Sequence, residues 1–305
     1  MFEENQPIMY KKHLAAIIVL NHNKKNDVLE CLESVYKQDY KKFEVIVVDN
    51  GSRDGSVDAI KNEFPNIHLI ESEINLGVAG GRNLGIRFAN EKFNYKFILF
   101  LDNDVVIEKT ALSEMVESFD TEKKVGIVTP KCYMMNRPGV FGYAGGLSIN
   151  LFTGRIANIG NEEKDVGQFD QSRFISSAGG LCLISKDVID EVGFFDERFN
   201  PYGWEDVDFS LRAKQKGFNI HYNHRAIIHH KGGKKGRGEV ISEYEFSKVK
   251  NYFYLIRKHA NVFQLLTIFS LLPFKMLVLI IKDLFQGEYK VIYTRFRSFL
   301  SLLKR

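Results

Sequence analysis

The sequence predicts an α/β protein: a doubly wound, mostly parallel sheet with a small antiparallel sheet and a C-terminal helical extension. Three observations carry this. Over the first hundred residues, short apolar runs alternate with amphipathic runs of helix length, the pitch of strand–helix–strand units in a parallel sheet. From about residue 126 to 180 the pattern loosens and becomes rich in glycine and β-formers, as expected of a smaller antiparallel sheet with loops. Beyond residue 238 a long apolar run and then a basic, aromatic run replace both.

The elements follow in order. Residues 15–20 read as a strand. Residues 27–37 read as a helix, with Val28, Leu29, Leu32, Val35 and Tyr36 on one stripe. A second strand is expected at 44–48 and a short helix at 54–63, with Pro65 beyond its end. A third strand at 67–70, a helix at 81–91 and a fourth strand at 97–101 complete the first half; further helices are expected at 186–191 and 206–217. No internal repeat interrupts the series.

A chain of 305 residues suffices for one large α/β domain with an appendage. Its 45% hydrophobic and 26% charged residues exclude a disordered chain. The net charge of +4 conceals an asymmetry: residues 231–305 carry 15 Lys/Arg against 5 Asp/Glu, and the other 230 residues carry 27 against 33. A basic tail on a slightly acidic body implies an anionic partner for the tail. No nucleic-acid partner is expected. Cys31, Cys132 and Cys182 show neither metal-ligand spacing nor a disulfide framework, so buried thiols in a reducing compartment are expected. The acidic start, without an apolar core segment, reads as lacking a secretory signal and so as cytoplasmic.

Two C-terminal runs bear on membranes. Val262–Ile281 is apolar but interrupted by Gln264, Pro273 and Lys275, which makes it marginal as a spanning helix. Residues 287–305 mix Val291, Ile292, Tyr293, Phe296, Phe299, Leu300 and Leu303 with Lys290, Arg295, Arg297, Lys304 and Arg305, the signature of a basic amphipathic helix on an anionic membrane surface. A helical subdomain packed on the body or on a second subunit is the alternative, and a true span the third.

Four polar clusters carry chemistry. Asp102-Asn103-Asp104 follows a buried strand and sets two carboxylates one residue apart at a sheet edge, where hard oxygen ligands suit Mn²⁺ or Mg²⁺; a strand cap opening a turn explains the same tripeptide. The turn-forming run from Asp49 to Gly55 puts a carboxylate where a nucleobase or ribose can bond to it, or is structural. It is not a calcium loop, because counting from Asn50 the twelfth position is Lys61. Asn75, Gly77, Gly80, Gly81, Arg82 and Asn83 form a glycine-rich loop opening a helix, suited to phosphate or simply to capping; it matches neither the dinucleotide fingerprint nor the P-loop. Glu205, Asp206 and Asp208 follow Trp204, the single tryptophan, at a helix start, where acidic residues also complement the helix dipole. His229 and His230 follow an apolar stretch and are either structural or part of a metal site.

The ordered set resembles the family 2 glycosyltransferases of the GT-A fold, and within them the bacterial rhamnosyltransferase-like branch. It runs from Ile18 through Asn21 and Asn23, Val47 through Ser52, Asn75 through Asn83 and Leu101 through Asp104. It continues with Ser177 through Gly180, Gly193 through Glu197, Trp204 through Asp208 with Leu211 and Arg212, and Ala226 through His230. The resemblance covers roughly residues 13–260. It implies a GT-A domain over 1–238, followed by a basic amphipathic helical region over 239–305.

The resemblance also implies roles. Asp49 would contact the uracil or thymine base and ribose of a UDP- or dTDP-linked sugar, with Asn21 and Asn23 lining that pocket and Asn75, Gly77, Arg82 and Asn103 in the donor site. Asp102 would face the ribose and donor sugar, and Asp104 and His230 would hold Mn²⁺ or Mg²⁺. Asp206, with Glu205 as the alternative, would be the catalytic base of an inverting transfer. Gly179, Gly180 and Trp204 would shape the acceptor pocket. The acceptor would be a glycan or polyprenyl-linked glycan of the cell surface, reached by an enzyme peripheral on the inner membrane face, with the tail as a homodimer contact.

The chain departs from the family at Asn21-His22, where Thr-Tyr or Ser-Tyr is common, and after His230, where Lys231 opens a lysine- and glycine-rich run in place of Gly-Ser. Two other readings compete. A nucleotidylyltransferase would need a glycine-rich basic loop after the first strand, which Asn21-His22-Asn23-Lys24-Lys25 does not supply. A non-catalytic nucleotide-sugar-binding scaffold would not need the carboxylates at 102, 104, 205 and 206.

Overall fold

The structure, a computed structural model, describes residues 13–120, 123–232 and 239–285, together with Ile292. In chain order the elements are β1 (Ala15–Asn21), α1 (Lys25–Tyr36), β2 (Phe43–Asp49), α2 (Ser56–Glu63), β3 (His68–Glu71), α3 (Gly77–Lys92), β4 (Phe97–Asp102), β5 (Val105–Ile107), α4 (Ala111–Glu117) and β6 (Val125–Met134). They continue with β7 (Phe141–Ala144), β8 (Leu147–Asn150), β9 (Arg155–Asn158), β10 (Arg173–Phe174), β11 (Cys182–Ser185), α5 (Lys186–Val192), α6 (Glu205–Gln215), β12 (Asn219–His230), α7 (Glu239–His259) and α8 (Val262–Phe285).

The main sheet runs β10-β12-β6-β11-β4-β1-β2-β3, with β5 on β12 and β7 on β6; β8 and β9 form a separate antiparallel pair. β1 pairs in parallel with both β2 and β4, while β11 lies antiparallel between β4 and β6. The expected fold class is therefore observed. The chain moves outward from β1 to β3, then returns to the other side of β1 with β4. Between β1 and β4 lies the switch point outside whose carboxyl ends α/β sheets bind ligands.

Both sheet faces are covered, which is why the strands read as continuous apolar runs. Ala15, Ile17 and Val19 face a core with Val28, Leu32, Leu112 and Met115. Ala16 and Ile18 face a second core with Ile86, Ala89, Val188 and Phe209, as the two-residue period of a strand requires.

Three expectations need correction. α3 begins at Gly77, not at residue 81, so the glycine-rich run is helix rather than loop. Its glycines serve close packing: a Cβ on Gly81 would lie 2.4 Å from Leu20 and one on Gly85 2.7 Å from Ile18, so α3 sits directly on β1. Residues 125–134 are not part of a small sheet but a ten-residue strand inside the main one, hidden in the sequence by Pro130 and Lys131; the Lys131 ammonium is paired with Asp170. The strand before His230 is twelve residues long, not the short Ala226–Ile228 stretch.

The border expected at 238/239 lies next to residues outside the description. Beyond it, α7 packs on the body. Leu255 and Ile256 are buried there, and the buried Asn251 amide donates to the carbonyls of Phe199 and Tyr202. The basic run 287–305 and Lys234 and Lys235 fall outside the described residues, apart from Ile292.

Candidate active site

Three neighbouring strands end in polar residues: β1 in Asn21, β2 in Asp49 and β4 in Asp102. Register sets Asn21 beside Asp49 and Leu20 beside Asp102, so the three emerge together at the sheet edge. Asn21 is fully buried; its amide nitrogen donates to Asp49 Oδ2 at 2.8 Å and its Oδ1 accepts from the Asn103 amide at 2.8 Å. The Ser52 backbone N–H donates to Asp49 Oδ1 at 2.8 Å. These bonds occupy one lone pair on each carboxylate oxygen of buried Asp49 and leave a second for a ligand.

The loops are tied in the same way. Asn23, at a φ of 51°, accepts from the Arg53 N–H at 2.8 Å and donates its own N–H to Ser52 Oγ at 2.9 Å. Asn75 Oδ1 accepts from the Asn50 amide at 3.0 Å and from the Gly77 N–H at 2.8 Å, and the Gly77 carbonyl accepts from Asn50 at 3.1 Å. Asn21, Asn23, Asp49, Asn75, Gly77 and Asn103 are therefore brought together as one hydrogen-bonded rim.

Asp104 lies in the tight turn from β4 into β5. β12 pairs antiparallel with β5 and sets His230 opposite Val105, next to Asp104. His230 Nε2 donates to Asp104 Oδ1 at 3.0 Å, and the Lys231 N–H donates to the Asp104 carbonyl at 2.9 Å. One ligand atom each from Asp102, Asp104 and His230 lies within 4.8 Å of the others. On the far oxygen, Lys24 Nζ stands 2.6 Å from Asp104 Oδ2. Burial alone would raise the pKa of Asp104, but hydrogen bonds and charge from His230 and Lys24 hold it well below the usual carboxylate range. Burial would lower His230, and Asp104 more than offsets that, so its pKa is raised. Two carboxylates and one imidazole fit Mn²⁺ or Mg²⁺, and the ammonium on Asp104 marks a position that already recruits a cation.

Across the site, α6 opens with Glu205 and Asp206. Trp204 caps it in a left-handed conformation at φ 74°. Glu205 Oε2 accepts from the Gly203 N–H at 3.0 Å, and Asp206 Oδ1 accepts from the Val207 N–H at 2.8 Å. Between the two acidic pairs lies Arg82, buried against the rings of Phe100 and Phe195 at 5.6 Å each. Its Nη2 is 3.4 Å from Asp102 Oδ1 and its Nη1 is 3.5 Å from Glu205 Oε1. A Cβ on Gly180 would meet Arg82 Nη2 at 2.8 Å, so glycine there makes room for the guanidinium, while Gly179 packs against the Tyr143 ring.

Burial raises Glu205, Asp206 repels its charge, and Arg82 opposes both incompletely, leaving it pushed up to about 7. Asp206 is raised too, first by burial, again against Arg82. The third carboxylate, Asp208, is fully buried and used otherwise. It accepts from Arg212 Nε at 2.8 Å, Lys258 Nζ at 2.6 Å and His259 Nε2 at 2.8 Å, which locks α6 to α7. Trp204 joins the same contact, its Nε1 donating to the Lys248 carbonyl at 2.8 Å.

Sequence reasoning missed Lys24 as a partner of Asp104, the bridge from Arg82 to Glu205, and the anchoring of Asp208. A signal existed only for Lys24, a cation three residues past the end of β1 at the edge that bears the carboxylates.

A mixed α/β sheet with a carboxylate-rich edge at its switch point, facing a second acidic pair, defines an α/β protein with a ligand site outside the carboxyl ends of its strands. The profile of glycosyl transferase family 2 matches residues 16–193, more than half of the chain, and the chain belongs to that family. The matched stretch contains Asn21, Asp49, Arg82, Asp102 and Asp104 and ends before Glu205, Asp206 and His230.

Among curated relatives, the low-salt glycan biosynthesis hexosyltransferase Agl10 of Haloferax volcanii is 26% identical over 208 residues, which are 67% of this chain and 63% of that protein. The poly-beta-1,6-N-acetyl-D-glucosamine synthase of Staphylococcus epidermidis is 27% identical over 214 residues, 68% of this chain and 47% of that protein. The chain thus spans about half to two-thirds of their lengths. The fold is shared with GalNAc-T7, solved with UDP, GalNAc and Mn²⁺, at a TM-score of 0.61 and 14% identity over 80% of this chain and 48% of that one. It is shared also with the mannosyltransferase PcManGT of Pyrobaculum calidifontis, in complex with GDP-Man and Mn²⁺, at a TM-score of 0.56 and 16% identity over 95% of this chain and 75% of that one.

Proposed function

We propose that this chain is an inverting, metal-dependent glycosyltransferase. It would move a hexose or deoxyhexose, rhamnose-like in the branch it resembles, from a UDP- or dTDP-linked donor to a glycan or polyprenyl-linked acceptor of cell-surface polysaccharide synthesis. The carrying observation is that Asp102, Asp104 and His230 converge within 4.8 Å while Glu205 and Asp206 face them across Arg82. Curated relatives named for glycan and polysaccharide synthesis, and fold neighbours solved with nucleotide or nucleotide sugar and Mn²⁺, support the reading.

In this mechanism Asp49, Asn21, Asn23 and Asn75 hold the nucleoside against the strand ends. Asp102 orients the ribose and donor sugar, with Arg82 fixing its carboxylate. Asp104 and His230 would hold Mn²⁺ or Mg²⁺, which when bound supplies Lewis-acid neutralisation of the diphosphate. Asp206, its proton affinity raised, takes the proton from the acceptor hydroxyl as that oxygen attacks the anomeric carbon and the bond from that carbon to the diphosphate oxygen breaks, releasing the nucleoside diphosphate; such general-base help is worth roughly 10²–10⁴-fold. Gly179, Gly180 and Trp204 shape the acceptor side. The catalytic unit is residues 1–238, and the region 239–305 keeps the enzyme at the inner membrane face.

The test is nucleoside diphosphate release from a panel of UDP-, dTDP- and GDP-sugars, with Mn²⁺, Mg²⁺ or EDTA. The expected outcome is metal-dependent release from one donor, lost in Asp104→Asn and Asp206→Asn. Absence of binding to every donor overturns the reading.

A further inference from the structure

α8 is largely uncovered. Phe263, Phe274 and Phe285 are 75%, 69% and 88% exposed. They stand eleven residues apart, three helical turns, so they fall in line along one face about 33 Å long. Over Val262–Ile281 the mean hydropathy is 2.1 and only 6% of the window is buried. An apolar surface of this extent marks an interaction site.

The middle of α8 is clasped to the turn between β8 and β9. Thr267 Oγ1 donates to the Phe152 carbonyl at 2.8 Å, the Lys275 ammonium donates to the Thr153 carbonyl, and Ile268 packs over Gly154. Phe152 is itself exposed beside the helix. At the other end of the hairpin, Leu147 packs with Phe199, Val207 and Leu255, and its N–H donates to the Ser177 carbonyl at 3.0 Å. Val207 follows Asp206, and Ser177 precedes Gly179 by two residues. One hairpin arm, roughly 13 Å long at the usual strand rise, therefore links the apolar helix to the acceptor side of the site.

We propose that α8 and the β8–β9 turn form one platform lying in the interface of an anionic bilayer, presenting a lipid-linked acceptor to Asp206 from that plane. This rests on the transferase reading. Charge favours a bilayer over a second copy, because the C-terminal stretch that carries α8, residues 231–305, holds 15 Lys/Arg against 5 Asp/Glu and so suits an anionic surface. The clasp favours lying in the interface over crossing it. A helix whose midpoint is bonded to a hairpin of the catalytic body cannot enter the hydrocarbon core without taking that hairpin's polar backbone along.

The test is flotation of the full chain with vesicles of phosphatidylcholine alone, or with about one-third phosphatidylglycerol. The wild type is expected to float with the anionic vesicles and to be released by alkaline carbonate. Phe263→Ser/Phe274→Ser/Phe285→Ser is expected to bind about tenfold less, and Phe152→Ser a few-fold less. Thermal melts matching the wild type establish that the variants are folded. Unchanged flotation of the triple variant, carbonate-resistant insertion, or a dimer in buffer that the triple variant dissolves would each overturn the platform. Donor binding, measured by calorimetry on the same proteins, is expected to be equal in all. A chain that floats but binds no nucleotide sugar keeps the platform and removes the transferase reading.

Discussion

Asp104 and Glu205 are each 5% exposed, yet their proton affinities move in opposite directions. Asp104 has two partners of its own that favour its charge, the Lys24 ammonium at 2.6 Å and His230 at 3.0 Å, whose proton affinity the pair raises. Glu205 has a half share of one, Arg82 at 3.5 Å, which also serves Asp102, and it has Asp206 as a neighbouring anion. Burial alone does not decide protonation; the local count of opposite charges does. The β4 end is thus built to stay anionic and attract cations, and the α6 start to accept a proton.

The largest expected effect tests that division directly. Asp206→Asn should cost roughly 10²–10⁴-fold in transfer while leaving donor affinity unchanged by calorimetry. A comparable loss of donor affinity would place Asp206 in donor binding and erase the contrast. Two residues on, Asp208→Asn should do the reverse. It leaves Arg212, Lys258 and His259 without their shared anion in a buried cluster, at a cost of about 3–5 kcal/mol of stability in denaturant unfolding. The sign also follows with pH. Burial opposes the Asp208 charge, but His259, Lys258 and Arg212 outweigh it and lower its pKa, so this contribution is present above the unfolded value of about 3.9 and is lost as pH falls through the folded one.

Legibility in the sequence followed the range of the interactions. The strand ends at Asn21, Asp49 and Asp102 were readable because an apolar run stopping at a polar residue is a local signal, and the parallel pairing followed from the alternation. β6 was not readable, because Pro130 and Lys131 break its apolar run while its neighbours β11 and β12 lie about fifty and a hundred residues further on. The run from Asn75 to Asn83 read as a loop opening a helix because the reason for Gly81 is Leu20, on a strand sixty residues earlier. Arg82 was noticed, but its bridge to Glu205 joins positions that only the packing of α3 against α6 brings together.

A smaller effect sharpens the comparison at the shared arginine. Because the base works deprotonated and the Glu205–Asp206 pair is held above its ordinary carboxylate range by burial, transfer should climb as pH rises through that raised range and then level. Arg82 opposes that elevation. Arg82→Met should move the rising limb to higher pH by about one unit or more, and Arg82→Lys should move it less. A limb that stays in place in Arg82→Met would mean that Arg82 acts on Asp102 alone.

The smallest expected effect concerns the other side of the comparison. Lys24 is about one-third exposed, so its pair with Asp104 is worth only about 0.2–1 kcal/mol. Its ammonium nevertheless stands on an oxygen that a divalent cation would use. Lys24→Ala should therefore tighten Mn²⁺ binding, by up to about fivefold in a calorimetric titration without donor, since the ion no longer displaces a resident charge. Weaker binding in Lys24→Ala would show instead that the lysine orders Asp104 for the ion. The anionic character of the β4 end would then depend on its cations rather than merely attract them.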